Sequence, residues 1–223
     1  MKNSLEEEKW VLFLKKVKLF RFVPFTDFVI TAGSLATGKL HQGSDFDVIV
    51  GAKQGRIFTN RFFAHLIFGL FGYRRKGVDH KIDSKDKICL SHFVTPASFR
   101  LSGPKNAYWQ HLYQKLVPIL GNEEVLTDFF EANDWLNPRR VYKRDSRYLG
   151  DSKSILRKFI EIILGGWFGD LLEKLKFIQI WVIKRGVHKR LGHKPAFVCS
   201  DDELRFHIDT KRIDEMVEKN EVR

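Results

Sequence analysis

Residues 27–50 run DFVITAGSLATGKLHQGSDFDVIV. The first six, Asp27 to Ala32, are rich in Phe, Val, Ile and Thr and stop at Gly33-Ser34, the pattern of a strand that ends in a turn. After a short linker, Phe46, Val48 and Val50 alternate with Asp45, Asp47 and Ile49. A period of two gives this second strand one apolar face and another that opens on two carboxylates, spaced roughly 6 to 7 Å along the chain. Such a pair can bridge two metal ions lying about 3.5 to 4 Å apart. Gly33 permits close backbone approach, and Ser34 with the amides opening a short helix can hold the phosphates of a nucleotide.

These residues resemble the nucleotidyltransferase superfamily of the DNA polymerase β type. Its pattern is Gly-Ser, a spacer with a Gly, then Ser-Asp-x-Asp and an apolar strand, matched here by Gly33, Ser34, Gly38, Ser44, Asp45 and Asp47. A Gly-Ser with an Asp-x-Asp at one fixed spacing arises by chance about once in 10⁵ start positions at average composition. The resemblance covers roughly the first 95 residues. It implies an α+β fold in which a small mixed sheet with flanking helices forms the catalytic core. It also implies Mg²⁺ or Mn²⁺ on Asp45 and Asp47, and contacts from Gly33, Ser34 and Ser44 to a nucleoside triphosphate (NTP). The reaction implied is transfer of a nucleoside monophosphate to an acceptor, with release of pyrophosphate.

The family's third carboxylate comes from a later strand. Residues 87–95 read as that strand, yet residues 87–94, KICLSHFV, contain no acid. Asp86 adjoins the strand and is the candidate third carboxylate, ahead of Asp79 and Asp83. Its parity groups it with Ile88, Leu90 and His92, which leaves Cys89 and Ser91 on the site side. His92 is the next candidate base or ligand, although a His within an apolar strand is more often a hydrogen-bonded core residue. Two functions follow: a metal-dependent nucleotidyltransferase, or a protein of that type that binds nucleotide or RNA without turnover.

Other motif readings fail on chemistry. Residues 33–39, GSLATGK, have P-loop spacing after a strand, but Leu40 stands where the loop needs a hydroxyl for Mg²⁺. The Asp-x-Asp of glycosyltransferases closes an apolar strand, whereas here it opens one.

Outward from this core, Ser4 and Glu7 form a capping box for a helix carrying Trp10, Phe13, Leu14 and Val17, which should run to about Phe22 before Pro24. Thr59 or Asn60 is the expected cap of a helix through Phe62, Phe63, Leu66, Ile67 and Leu70 that ends near Gly72. Beyond Pro104 helices are expected over residues 108–120, 123–131, 155–184 with a break at Gly165-Gly166, and 212–219. The expected organisation is a catalytic domain over residues 1–100 and a helical domain over residues 101–223. Phe168, Leu171, Leu172, Leu175, Ile178 and Val182 recur at helical spacing. Core packing is their expected role, with a membrane-surface helix as the alternative.

The chain has 223 residues, 43% hydrophobic and 30% charged, a soluble globular composition. The apolar run over residues 62–73 is too short to span a bilayer, the start lacks signal-peptide order, and Cys89 and Cys199 form no CxxC pair. The expected compartment is the cytoplasm. The net charge of +12 points to an anionic partner, a nucleotide or RNA. Arg74-Arg75-Lys76 and the runs over residues 139–147 and 184–194 carry much of that excess.

Overall fold

Strand β1 (Thr26–Thr31) and strand β2 (Phe46–Ala52) pair antiparallel, with Thr31 opposite Val48 and Val29 opposite Val50. Between them the chain makes one short helix, α2 (Gly33–Thr37), which Gly38 ends with a φ of 73°. A P-loop would need a longer helix after Lys39, and none follows. The computed structural model describes residues 2–75, 84–101, 107–134, 146–191 and 198–206.

Helix α1 (Lys2–Val17) continues into a 3₁₀ turn, Lys18–Phe22, close to the expected span. Helix α3 (Ile57–Leu70) crosses over from β2 to strand β3 (Ile88–Val94), which lies parallel to β2. The sheet has six strands in the order β4-β1-β2-β3-β6-β5, with β4 at Val117–Gly121, β5 at Val198–Cys199 and β6 at Glu203–Arg205. All pairings except β2 with β3 are antiparallel. The fold is therefore mixed α and β around a mixed sheet, as the sequence suggested at that level.

Helical expectation for the whole second half does not hold among the described residues. They carry α4 (Ala107–Gln114), α5 (Glu123–Ala132), α6 (Ile155–Ile163), α7 (Trp167–Lys174) and α8 (Lys176–Leu191). They also supply β4, β5 and β6, which extend the sheet begun by residues before 100. The helix expected over residues 108–120 stops at Gln114, and Val117 to Gly121 join the sheet edge beside β1. Pro118 cannot donate to a helix ladder, and an edge strand accommodates it. The expected helix over residues 212–219 lies outside the described residues, as do residues 139–145 of the second basic cluster.

Both sheet faces are covered. On one, Phe13 and Phe20 from the N-terminal helical segment and Phe58 and Phe68 from α3 pack on Val29, Phe46, Val48 and Val50. On the other, Phe129 and Phe130 of α5 join Phe28, Ile30, Ile49 and Tyr113. Each such ring is worth about 1.5 to 3 kcal/mol when fully buried. Phe28 fits because its neighbour in β2 is Gly51, where a Cβ would lie 2.4 Å from the ring.

Helix α3 begins at Ile57, and its cap is not Thr59 or Asn60, which are buried in its first turn. Glu173 of α7 accepts hydrogen bonds from the Phe58 amide (2.8 Å), the Thr59 amide (2.9 Å) and the Thr59 hydroxyl (2.7 Å). A carboxylate on a helix N-terminus satisfies orphan amides and complements the helix dipole. The apolar stripe expected in the core is also placed otherwise. Phe168, Leu171, Leu172, Leu175, Ile178 and Val182 are 39% to 56% exposed. No described helix is long and apolar enough to cross a membrane.

Candidate functional site

Asp45 immediately precedes β2 and Asp47 is its second residue, so their side chains leave the sheet on one face. Directly opposite Asp47 in the parallel ladder is Cys89 of β3. One ligand atom from each of Asp45, Asp47 and Cys89 lies within 4.8 Å of the other two, the only such His, Cys, Asp or Glu cluster among the described residues.

The Gly33-Ser34 turn closes on this cluster from β1. The Ala32 amide donates to the Asp47 carbonyl at 3.0 Å, and the Thr31 hydroxyl donates to the same oxygen at 3.2 Å. Gly33 has a φ of 65°, and a Cβ there would lie 2.2 Å from Asp47 Oδ2. Glycine is thus required twice, for the left-handed backbone and for the space the carboxylate fills. Ser34 follows in the first turn of α2, half-buried. Ser44 is buried and works in the turn before the pair, where its hydroxyl accepts from the His41 amide at 3.0 Å.

A cation belongs to this group. Arg75 donates to Asp45 Oδ2 at 2.6 Å and reaches Cys89 Sγ at 3.8 Å. Burial and the neighbouring Asp45 charge push the Asp47 carboxyl up to about 6, against the Cys89 hydrogen bond and Arg75, which hold it down. Burial, then Asp47 and Asp45, raise the Cys89 thiol, which is consequently protonated at neutral pH in the metal-free chain. Burial opposes the Arg75 charge, but Cys89, Asp45 and Asp47 outweigh it and raise its pKa.

Asp86 lies outside the cluster. Two residues before Ile88, which pairs with Phe46, it has the parity of the α1 side of the sheet. Its carboxylate accepts from Lys9 Nζ at 2.6 Å, its amide donates to the Ser44 carbonyl at 3.1 Å, and its carbonyl accepts from Lys16. Its φ of 60°, unusual for a residue other than glycine, is held by these bonds. The expectation that Asp86 joins the pair is corrected by this parity, and Cys89 holds the corresponding place. His92 is buried with Nε2 at 3.3 Å from Glu203 Oε1, and burial lowers its pKa. It acts in the core between β3 and β6, and a register shift that sets it opposite Ile49 turns it to the carboxylates' face rather than to the face of Ile88 and Leu90 expected from its parity. Asp79 and Asp83 lie outside the described residues.

Arg75 and Lys9 were not assigned to the site from the sequence. Arg75 was visible only as part of a basic triplet. Lys9 and Lys16 stand seven apart on α1, on the stripe of Phe13, and both cations lie over the Phe46 ring at 5.9 and 5.8 Å. That spacing was the available signal. Compared with protein-family models, curated proteins and solved structures, the chain matches none of them, so its functional reading rests on these residues alone.

Proposed function

We propose that the chain is a nucleotidyltransferase-type protein that binds a nucleoside triphosphate with a divalent ion at Asp45 and Asp47. The observation that carries this reading is the closure of the Gly33 turn on the Asp47 carboxylate beside Asp45. Two close carboxylates are a fitting donor set for a hard ion such as Mg²⁺ or Mn²⁺. When bound, the ion would neutralise the triphosphate and polarise it toward attack. The chain's own groups do the rest. Amides at Gly33 and Ser34 receive phosphate oxygens, and Arg75 moves between Asp45 and the incoming anion. In transfer, an acceptor hydroxyl bonds to the α phosphorus, the bond to pyrophosphate breaks, and the hydroxyl proton leaves to solvent or base. The acceptor is a hydroxyl of RNA, a protein side chain or a small molecule.

A second reading, binding of nucleotide or RNA without turnover, is favoured by one feature. The place opposite Asp47 holds a thiol rather than a third carboxylate, while Asp86 is committed to Lys9. A protonated thiol is a poor ligand for Mg²⁺.

Calorimetry of each triphosphate with Mg²⁺ or Mn²⁺ tests the shared part. Asp45→Asn and Asp47→Asn should each weaken binding at least about 100-fold, and wild-type affinity should fall about tenfold per pH unit below about pH 6, as Asp47 takes up its proton. Unchanged affinity in both variants overturns the assignment. Pyrophosphate release from α-labelled triphosphate, with cellular RNA or protein as acceptor, then separates transfer from binding alone.

A further inference from the structure

Helices α6, α7 and α8 are turned inside out. In α6, Arg157 is 4% exposed, and its guanidinium reaches Glu161 at 2.7 Å and the Thr26 carbonyl at 2.5 Å, while Glu161 accepts from the Phe25 amide at 2.6 Å. In α7, Asp170 meets Arg56 at 2.6 Å and Glu173 caps α3. In α8, Gln179 accepts from Arg61 at 3.1 Å and donates to the Phe58 carbonyl at 3.0 Å. All three helices thus grip one base, the start of β1 and the start of α3, with their polar groups. Most of their large apolar side chains turn to solvent, among them Ile155 (87%), Ile162 (78%) and Trp167 (66%), while Ile180 packs on the core.

Fourteen large apolar side chains between Ile155 and Val182 are exposed. At roughly half of about 200 Å² each, they present on the order of 1,400 Å² of apolar surface. The largest apolar patch on an ordinary monomer is about 300 to 600 Å², and a stable interface needs about 800 Å² per partner. The surface is therefore sized for an obligate interface rather than for solvent.

We propose that this face is the interface between two copies of the chain, joined about a twofold axis. Composition selects a second copy over a lipid surface. The cations that reach the surface among the apolar residues from 155 to 182 are Lys158, Lys174 and Lys176, the last half-buried and paired with Asp201, with Arg185 further along α8, and the exposed Asp170 adds an anion. A helix that lies on anionic lipid gathers Lys and Arg around its apolar face. Homodimer interfaces instead concentrate aromatic and aliphatic groups and exclude charge, as here with Phe159, Trp167, Phe168, Phe177 and Trp181. A twofold contact also needs no second protein with a matching surface, because one patch meets its own copy.

Light scattering on the full chain should give twice the chain mass at about 10 μM. Ile162→Lys and Phe177→Glu should each raise the dimer dissociation constant at least about 100-fold without changing the circular dichroism of the chain. Val11→Glu, equally exposed but on α1, should leave the dimer intact. Hydrogen exchange on the wild-type chain covers the case in which the variants unfold, since peptides from residues 155–182 should lose protection on dilution. A wild-type chain that stays monomeric to about 100 μM overturns the proposal, whether or not it floats with vesicles of anionic phospholipid. So does a dimer that both substitutions leave untouched in a folded chain, or exchange over residues 155–182 that ignores concentration.

Discussion

Two regions depart from the rule that charge faces water and apolar groups face the core, and they do so in opposite senses. At the mouth of β2, acids are drawn in: Asp45, Asp47 and Asp86 are only partly exposed. Along α6 to α8, large apolar groups are pushed out. The difference lies in compensation. Each inward acid has a basic neighbour within the chain, Arg75 for Asp45 and Asp47, and Lys9 for Asp86. Among the described residues, the outward apolar surface has no such cover. A region that is balanced internally can await a small ligand, whereas one that is unbalanced must find a large one.

Among the inward acids' partners, Lys9 carries the largest expected effect. Replacing it with Met leaves the Asp86 carboxylate and the Gln42 carbonyl without this donor, while the Ser44 carbonyl keeps the Asp86 amide. Removing one partner of a mostly buried pair costs about 3 kcal/mol, so Lys9→Met should lower stability by that amount in urea titration. A loss below about 0.5 kcal/mol would make the pair an ordinary surface bridge and remove the contrast between the two regions. Gly33→Ala comes next, at about 2 to 3 kcal/mol, because it combines a left-handed φ with a contact of 2.2 Å to Asp47 Oδ2. Its mark should be a weaker Mn²⁺ affinity together with the lost stability, since relief of the contact must move the carboxylate. Glu173→Ala should cost about 2 kcal/mol by orphaning two amides of α3. Faster proteolysis at residues 164–176 would show that this carboxylate, beside Arg157, Asp170 and Gln179, helps to hold the inverted helices to the sheet.

Sequence reading was strongest where local chemistry and period agreed. The alternation from Asp45 to Val50 gave both the strand and the shared face of its acids, and the same parity argument already separated Cys89 from Asp86. It was weaker where a distant partner decides. Nothing near Thr59 reveals that its amide is capped from Glu173, and nothing near Asp86 reveals Lys9 of α1. Strand β4 was read as helix because a short apolar run carries no period of its own, and its pairing with β1 supplies the missing information. The stripe in α7 and α8 was detected correctly as a stripe, but helical period says only that one face is apolar. Whether that face meets its own core or another molecule depends on where the polar face is anchored, here by Arg157, Glu173 and Gln179.

The smallest effect tests the inward acids most directly, through Asp47 itself. Its folded pKa of about 6 lies above the 3.8 expected without the site, because burial and Asp45 disfavour its charge. Between those two values the folded chain keeps a proton that the unfolded chain has lost. Stability contributed by this group is therefore present below about pH 3.8 and is lost as pH rises through about 6. Asn cannot ionise and so escapes the loss. Asp47→Asn should match wild type near pH 4 and exceed it by about 1 to 2 kcal/mol at pH 8, with the gap opening across pH 4 to 6. Acids away from Asp47 titrate equally in both chains and cancel in the difference. A variant less stable than wild type at pH 8 would mean that Arg75 and Cys89 do more than balance the carboxylate. The site would then be a structural ion pair rather than a charge held ready for a cation. Adding Mn²⁺ at pH 8 should reverse the order, stabilising wild type and leaving Asp47→Asn nearly unchanged, since only the ionised carboxylate gains from the ion.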